Sequence, residues 1–344
     1  MGELVRDVRQ LELLEWLESV VGLSDIRLQP ASADASFRRY FRVYAGQWGL
    51  DNIGLPAGTS LVAMDAPPEL EPCIDFVKIA DQLAEAGLHA PTVVEQDLTR
   101  GFLLLEDLGK QDYLSQLRSS SVNELYGDAL GALLQMQQLS TKGLPEFDRP
   151  MINRELALFR DWYLERHLGL NSEQVDFCLG PLANLLVNNA LQQPQVWVHR
   201  DYHSRNLMIC EQRNPGIIDF QDAVRGPITY DLVSLLKDCY ISWPRAQVVD
   251  WLAGYFDTLN QQSFYAGQLS DFESFLHWFD LMGVQRHMKA IGIFARLNYR
   301  DGKPGYLADI PLCMGYLVEV AEIDPAMASL GELLDWIKRQ GVLA

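Results

Sequence analysis

One segment of the chain reads His199-Arg200-Asp201-Tyr202-His203-Ser204-Arg205-Asn206, and Ile217-Ile218-Asp219-Phe220 follows it. An asparagine thus stands five residues after one aspartate, and a second aspartate stands thirteen residues after that asparagine. These residue types at this spacing suit phosphoryl transfer. The reaction asks for an acceptor that orients the attacking hydroxyl and takes its proton, and for hard oxygen ligands to a Mg²⁺ bridging nucleotide phosphates. Asp201 fits the first role, and Asn206 and Asp219 fit the second. Singly, each could do no more than cap a turn, as Asp and Asn at strand ends usually do. Together, flanked by apolar runs, they form one constellation. His199 and His203 read as packed or loop-bracing residues without a chemical role.

The elements that must hold these groups are short. Runs at 195–198, 207–210 and 216–219 read as strands, so the polar residues sit on loops between strands. Upstream, a helix is expected over 3–21, strand character at 37–44, a turn-rich loop at 51–58 and a strand at 61–64. A helix over 74–86 and strands at 91–94 and 101–105 complete a small sheet carrying a helix. Beyond Gly109 the pattern turns helical, with segments at 123–139, 153–167, 173–189, 230–241, 251–259, 271–298, 312–321 and 332–339. The expected fold is α+β, with a β-rich N-lobe over 1–105 and a larger, mostly helical C-lobe over 106–344 that holds one β-ribbon.

The pattern H-x-D-x-x-x-x-N, then I-D-F, then Gly226-Pro227-Ile228-Thr229-Tyr230-Asp231-Leu232 resembles the aminoglycoside phosphotransferase/choline kinase-like superfamily. The resemblance spans nearly the whole chain. It implies a bilobal protein-kinase-like fold, ATP and Mg²⁺ as cofactors, Asp201 as the catalytic residue, and Asn206 and Asp219 as metal ligands. It also implies that Asp231 braces the catalytic loop. Leu103-Leu104-Leu105-Glu106-Asp107-Leu108-Gly109 is similar to the family's hinge, whose backbone at Glu106 and Leu108 would meet the adenine edge. Two departures stand out. Met64 occupies the position of the family's phosphate-binding lysine, with Asp75 the nearest acid for its helix partner. The nucleotide-cradling turn, at 32–42, has no glycine. Ala35 and Ser36 still allow close backbone approach there, and one of Arg38, Arg39 or Arg42 is expected to replace the lysine's charge. On a strand, 38 and 42 share a face and 39 takes the other. The alternative is that all three are solvated edge-strand charges.

The wording ADASFRRYFRV, VAMDAPPE, HRDYHSRNLM and QRHMKAIGIFARLNYRDGKPGYL resembles one branch of that superfamily, the bacterial anomeric sugar kinases of cell-wall recycling. This implies transfer to the C1 hydroxyl of N-acetylmuramate and N-acetylglucosamine. The alternatives are an aminoglycoside or amino-alcohol kinase, and a nucleotide-binding pseudokinase scaffold motivated by Met64; the intact Asp201, Asn206 and Asp219 speak against the scaffold. A carboxylate-bearing sugar should meet a cation. Arg286, Lys289, Arg296 and Arg300 fall within a quarter-turn of one another at ~100° per residue, with Val284, Met288, Ile291 and Phe294 around the remaining circumference. Such a stripe reads either as a solvated face or as a ligand site that includes Arg296. Arg225, six residues past Asp219, is the better single candidate, and Asp222 is placed to bond sugar hydroxyls.

Composition narrows the classes further. The chain has 344 residues, 48% hydrophobic and 22% charged, which is globular and enough for two lobes. Lys plus Arg number 28 against 46 Asp plus Glu, a net charge of −18 that repels nucleic acid. No apolar run is long enough for a membrane span, and the acidic first residues do not read as a signal peptide. The five cysteines are scattered and read as buried thiols of a reducing compartment. A cytoplasmic enzyme acting on a small molecule, with no obligate protein partner, is the expectation.

Overall fold

The structure, a computed structural model, describes residues 7–32, 37–265 and 267–339. The chain forms two compact units. One runs to Gln111 and takes in Met208–Gln221; the other comprises Asp112–Leu207 and the chain from Asp222 onward.

The first unit is built on an antiparallel sheet of β1 (Arg27–Ser32), β2 (Arg39–Tyr44), β3 (Ser60–Asp65), β4 (Val93–Asp97) and β5 (Phe102–Glu106), in the order β1-β2-β3-β5-β4. Strand alternation decides its two faces. Phe41, Val43, Leu61, Ala63, Phe102 and Leu104 point one way, onto Leu13, Trp16 and Leu17 of the helix Val8–Ser19. Met64 lies opposite Tyr40 on β2 and Leu103 on β5, and so belongs to the other face. β1 runs through Pro30, which an edge strand tolerates because the missing N–H breaks no interior ladder. The sequence reading began its strand only after this proline. It also read a turn-rich loop at 51–58, where a short helix, Gln47–Asn52, reaches into its start. Gly101 has φ +74° and lies so close to the Ala66 carbonyl that a Cβ would collide with it. A hairpin of β7 (Leu207–Met208) and β8 (Gly216–Ile217) brings Ile217 N–H to the His89 carbonyl (2.7 Å) and Phe220 against Phe76.

The second unit is helical around a ribbon of β6 (Gln195–Val198) and β9 (Val224–Pro227). Its axis is the helix Phe272–Asp301, started by the Asp271 carboxylate on Ser274 N–H and ended by Gly302 at φ +65°. The amphipathic reading of this helix allowed a solvated basic stripe, and the structure removes that option for two of its members. Every residue from Asp280 to Lys289 is buried, Arg286 and Lys289 included. The reason is its central position: the helices Arg149–Leu158, Ser172–Gln192, Tyr230–Leu236, Arg245–Asn260 and Ile310–Ile323 all pack against it. At Gly292 it meets the junction where Arg149–Leu158 widens into a π-helical stretch, Phe159–His167. Among the described residues no helix is long and apolar enough to cross a membrane.

Candidate active site

In the second unit, β6 delivers the chain to His199, after which Arg200 adopts φ +76°. A side chain rarely tolerates that conformation, and such strain persists only where surroundings enforce it. Here Asp231 enforces it. From the first turn of the helix Tyr230–Leu236 its two carboxylate oxygens accept the N–H groups of His199 (2.7 Å) and Arg200 (3.0 Å). The loop then folds on itself. His203 N–H and the Asn206 amide both donate to the Asp201 carbonyl at 3.0 Å, and Asn206 N–H donates to His203 O at 2.9 Å. Ser204 is anchored through its N–H and hydroxyl to buried Asp238, and the Tyr202 hydroxyl donates to Ala129 O. Asp201 therefore sits on a loop with little freedom to move.

Burial works against ionisation of Asp201, but the charges of Lys289, His203, Arg200 and Arg286 prevail and hold its carboxyl well below the usual carboxylate range. Asp231 behaves oppositely. Burial outweighs its two N–H bonds, the nearby charge of Asp201 adds to the effect, and its pKa is pushed up to about 7. Behind the loop lies a cluster of buried charge. Glu155 accepts from Arg200 Nη2 (2.6 Å) and Gln285 Nε2 (2.9 Å), with Lys289 Nζ at 3.5 Å. Lys289 also donates to the Tyr230 hydroxyl at 2.9 Å. Burial would raise the pKa of Glu155, yet Lys289 and Arg200 more than offset it and the net shift is downward.

Asp219 belongs to the first unit, where it too has positive φ (+64°) and accepts from Gln221 Nε2 at 2.7 Å. The expected hinge is in this unit as well. Glu106 N–H donates to Thr92 O, which commits that donor within the sheet. The Glu106 carboxylate accepts from His89 and Thr92; burial raises its pKa, but these donors bring it below the usual value. Leu108 packs against Gly216, where a Cβ would come within 2.8 Å of Leu108 Cδ1.

The three candidate arginines all have carboxylate partners. Arg38 pairs with Glu71 at 2.7 Å. Arg39 pairs with Asp7 and with Asp65, which Arg9 also holds. Arg42 donates to Asp107 through Nε (2.5 Å) and Nη2 (2.9 Å), and to Gly109 O (2.6 Å). Arg42 shares the face of Met64, whereas Arg39 lies on the face of the N-terminal helix. Ala35 and Ser36 lie outside the described residues, and Asp75 is exposed in the first turn of the helix Ile74–Glu85. Of the acceptor-site candidates, Asp222 is exposed, Arg225 pairs with Glu146 at 2.9 Å, and burial together with Arg300 disfavours the charge of half-buried Arg296.

The structure therefore brings Asp201, Asn206 and Asp231 together in one unit, with Lys289, Glu155, Gln285 and Arg200 around them. Of these last four, the sequence singles out only Lys289, as part of the basic stripe, and does not mark the others. Glu155 stands between Arg154 and Leu156, and Gln285 between Val284 and Arg286, so nothing in the neighbouring residues marks either as part of a site.

Residues 27–266 match the model of the phosphotransferase enzyme family. The N-acetylmuramate/N-acetylglucosamine kinase of Pseudomonas aeruginosa is 47% identical over 342 residues, covering 95% of this chain and 96% of its own length. A protein of the same name from Neisseria meningitidis is 39% identical over 344 residues, with 95% and 96% coverage. Among solved structures, choline kinase LicA from Streptococcus pneumoniae superposes with a TM-score of 0.61 at 13% identity, covering 90% of this chain and 99% of its own. Aminoglycoside phosphotransferase APH(2'')-Ib bound to ADP gives 0.57 at 14% identity, with 90% and 98% coverage. Those two share the fold, a small antiparallel sheet followed by a helical region. The family match runs through both the loop of Asp201 and the turn of Asp219, and the sequence relatives align almost end to end: the chain belongs to the phosphotransferase enzyme family.

Proposed function

We propose that the protein is an ATP-dependent kinase that phosphorylates the anomeric C1 hydroxyl of N-acetylmuramate and N-acetylglucosamine, in the reuse of cell-wall sugars. The observation that carries this reading is the 47% identity, over 95% of the chain, to a kinase named for these two sugars. The loop geometry supports it. Asp201, ionised at any working pH, is the acceptor that aligns the C1 hydroxyl and receives its proton as the new O–P bond forms. An anomeric hydroxyl is more acidic than an ordinary alcohol, so a weakly basic carboxylate suffices. Asp231 keeps Asp201 in place by holding the two preceding N–H groups.

ATP supplies the phosphoryl group and Mg²⁺ offsets the charge on its phosphates. The donor chemistry fits a hard cation. Among the described residues no three His, Cys, Asp or Glu side chains gather as a metal cage, and Mg²⁺ characteristically takes only one or two protein ligands and completes its shell with water and phosphate. The Asn206 amide nitrogen is committed to Asp201 O, which makes Oδ1 its ligating end; the Asp219 carboxylate is the second hard donor.

The two aspartates should fail differently when neutralised. Asp201→Asn keeps shape and loses the acceptor, so turnover falls by roughly 10²–10⁴, near the low end for an acidic hydroxyl, while the Mg²⁺ requirement stays as it was. Asp219→Asn moves the Mg²⁺ dependence to higher concentration along with the loss of rate. Rate measured against Mg²⁺ for both variants checks this; if Asp201→Asn needs more metal and Asp219→Asn does not, the roles are inverted.

A further inference from the structure

Four residues after Asp201 the same loop carries Arg205, which is exposed. Its guanidinium carbon lies 3.6 Å from the centroid of the Tyr240 ring. Tyr240 meets His203 edge-on at 5.4 Å, and beyond it come Phe294 (6.3 Å) and Tyr306, the last two stacked at 5.8 Å with planes 17° apart. Aromatic faces with one or two placed polar groups are what a small polar ligand with an apolar face requires. We infer that Arg205 is the cation that reads a carboxylate on the acceptor sugar, held over an aromatic floor next to the catalytic loop.

The assignment has two grounds. The first is how the guanidinium is held. Arg225, Arg300 and Arg39 have their N–H groups on carboxylates, whereas Arg205 lays its face on a ring. Stacking engages the π face and leaves the in-plane N–H fork directed outward, the geometry that binds a carboxylate with two parallel hydrogen bonds. The second is charge. A chain of net −18 repels an anionic substrate as a whole, so recognition of a carboxylate needs a local cation. Arg205 has its place fixed by the loop bonds of Ser204 and Asn206 on either side. Asp309 is near enough to feel its charge.

This inference rests on the sugar-kinase reading and deepens it, because only N-acetylmuramate of the two sugars bears a carboxylate. The test compares kcat/KM for N-acetylmuramate, its neutral lactamide analogue and N-acetylglucosamine in wild type, Arg205→Gln and Arg205→Lys. The ratio of N-acetylmuramate to N-acetylglucosamine use should fall about 10- to 100-fold in Arg205→Gln, the span of a charge-assisted hydrogen bond. The loss should appear chiefly in KM, part of it should return in Arg205→Lys, and the lactamide should lose far less than the acid. If the ratio stays unchanged, or all three sugars fall by one factor in both variants, Arg205 does not read the carboxylate, while the kinase reading stands. If wild type phosphorylates neither sugar, the kinase reading fails and this assignment fails with it.

Discussion

Glu155 accepts from Arg200 and Gln285 and faces Lys289 in a region where it and Lys289 are only 5% and 7% exposed. Glu155→Gln preserves the volume and removes the charge, leaving buried Lys289 and half-buried Arg200 without their carboxylate and turning an amide N–H toward other donors. Breaking one partner out of a buried ion cluster costs about 3–5 kcal/mol. For a unit of roughly 200 residues that corresponds to a melting point lowered by about 6–20 °C. The loop of Asp201 should feel it too. Arg200 is strained at φ +76°, and its side chain loses its charged anchor one residue before Asp201, so kcat should fall about tenfold or more. The pH dependence follows from the direction of the shift. Glu155 has a lowered pKa in the fold, so its contribution is present above its unfolded value, about 4.3, and is lost as pH falls through the folded value. The gap in stability between wild type and Glu155→Gln should therefore be full near pH 7 and narrow below about pH 4. Adding Lys289→Met to Glu155→Gln removes one stranded cation and should recover part of the loss. Urea unfolding of the four proteins of this cycle, at pH 7 and pH 4, is the assay. A single variant within about 1 kcal/mol of wild type at pH 7, or a double variant less stable than both singles, would refute the claim that this cluster holds the loop.

Two other substitutions probe separate joints. Gly292→Ala would set a Cβ 2.3 Å from Leu158 C and 2.4 Å from Phe159 N; the backbones would have to part by about 1 Å, at a cost near the upper end of the roughly 1–3 kcal/mol of overpacking, and an unchanged thermal melt would contradict this. Among Arg38→Ala, Arg39→Ala and Arg42→Ala, the last should raise KM for ATP most, because only Arg42 joins the face of Met64 to the segment after β5; equal small effects from all three would leave the missing lysine without a substitute.

The candidate site could be read in the sequence because its spacing is local. Asp201, Asn206 and Asp219 lie within nineteen positions, on turns whose lengths the flanking runs Gln195–Val198 and Gly216–Ile217 limit. The α+β character was legible for the same reason, since strand alternation and helical periodicity are properties of short windows. What escaped was non-local. Glu155 reaches Lys289 and Arg200 from a different helix, and nothing within reading distance of Glu155 marks it as buried. A basic stripe has the same period whether water or other helices cover it, so Arg286 and Lys289 could be read as solvated until the neighbours of the helix Phe272–Asp301 were known. Strand β9 hid inside a stretch containing Gly226 and Pro227, where its pairing with β6, rather than its own propensity, makes it a strand.

The most direct test of the account is the reaction itself. Purified protein is incubated with ATP, Mg²⁺ and, in separate samples, N-acetylmuramate, N-acetylglucosamine and a panel of aminoglycosides and amino-alcohols, and the products are followed by phosphorus and proton NMR. The expected products are stoichiometric ADP and a phosphate on C1 of both sugars, with the anomeric proton coupled to phosphorus and no turnover of the panel. Phosphate on any other hydroxyl, or turnover of the panel but not of the two sugars, would contradict it.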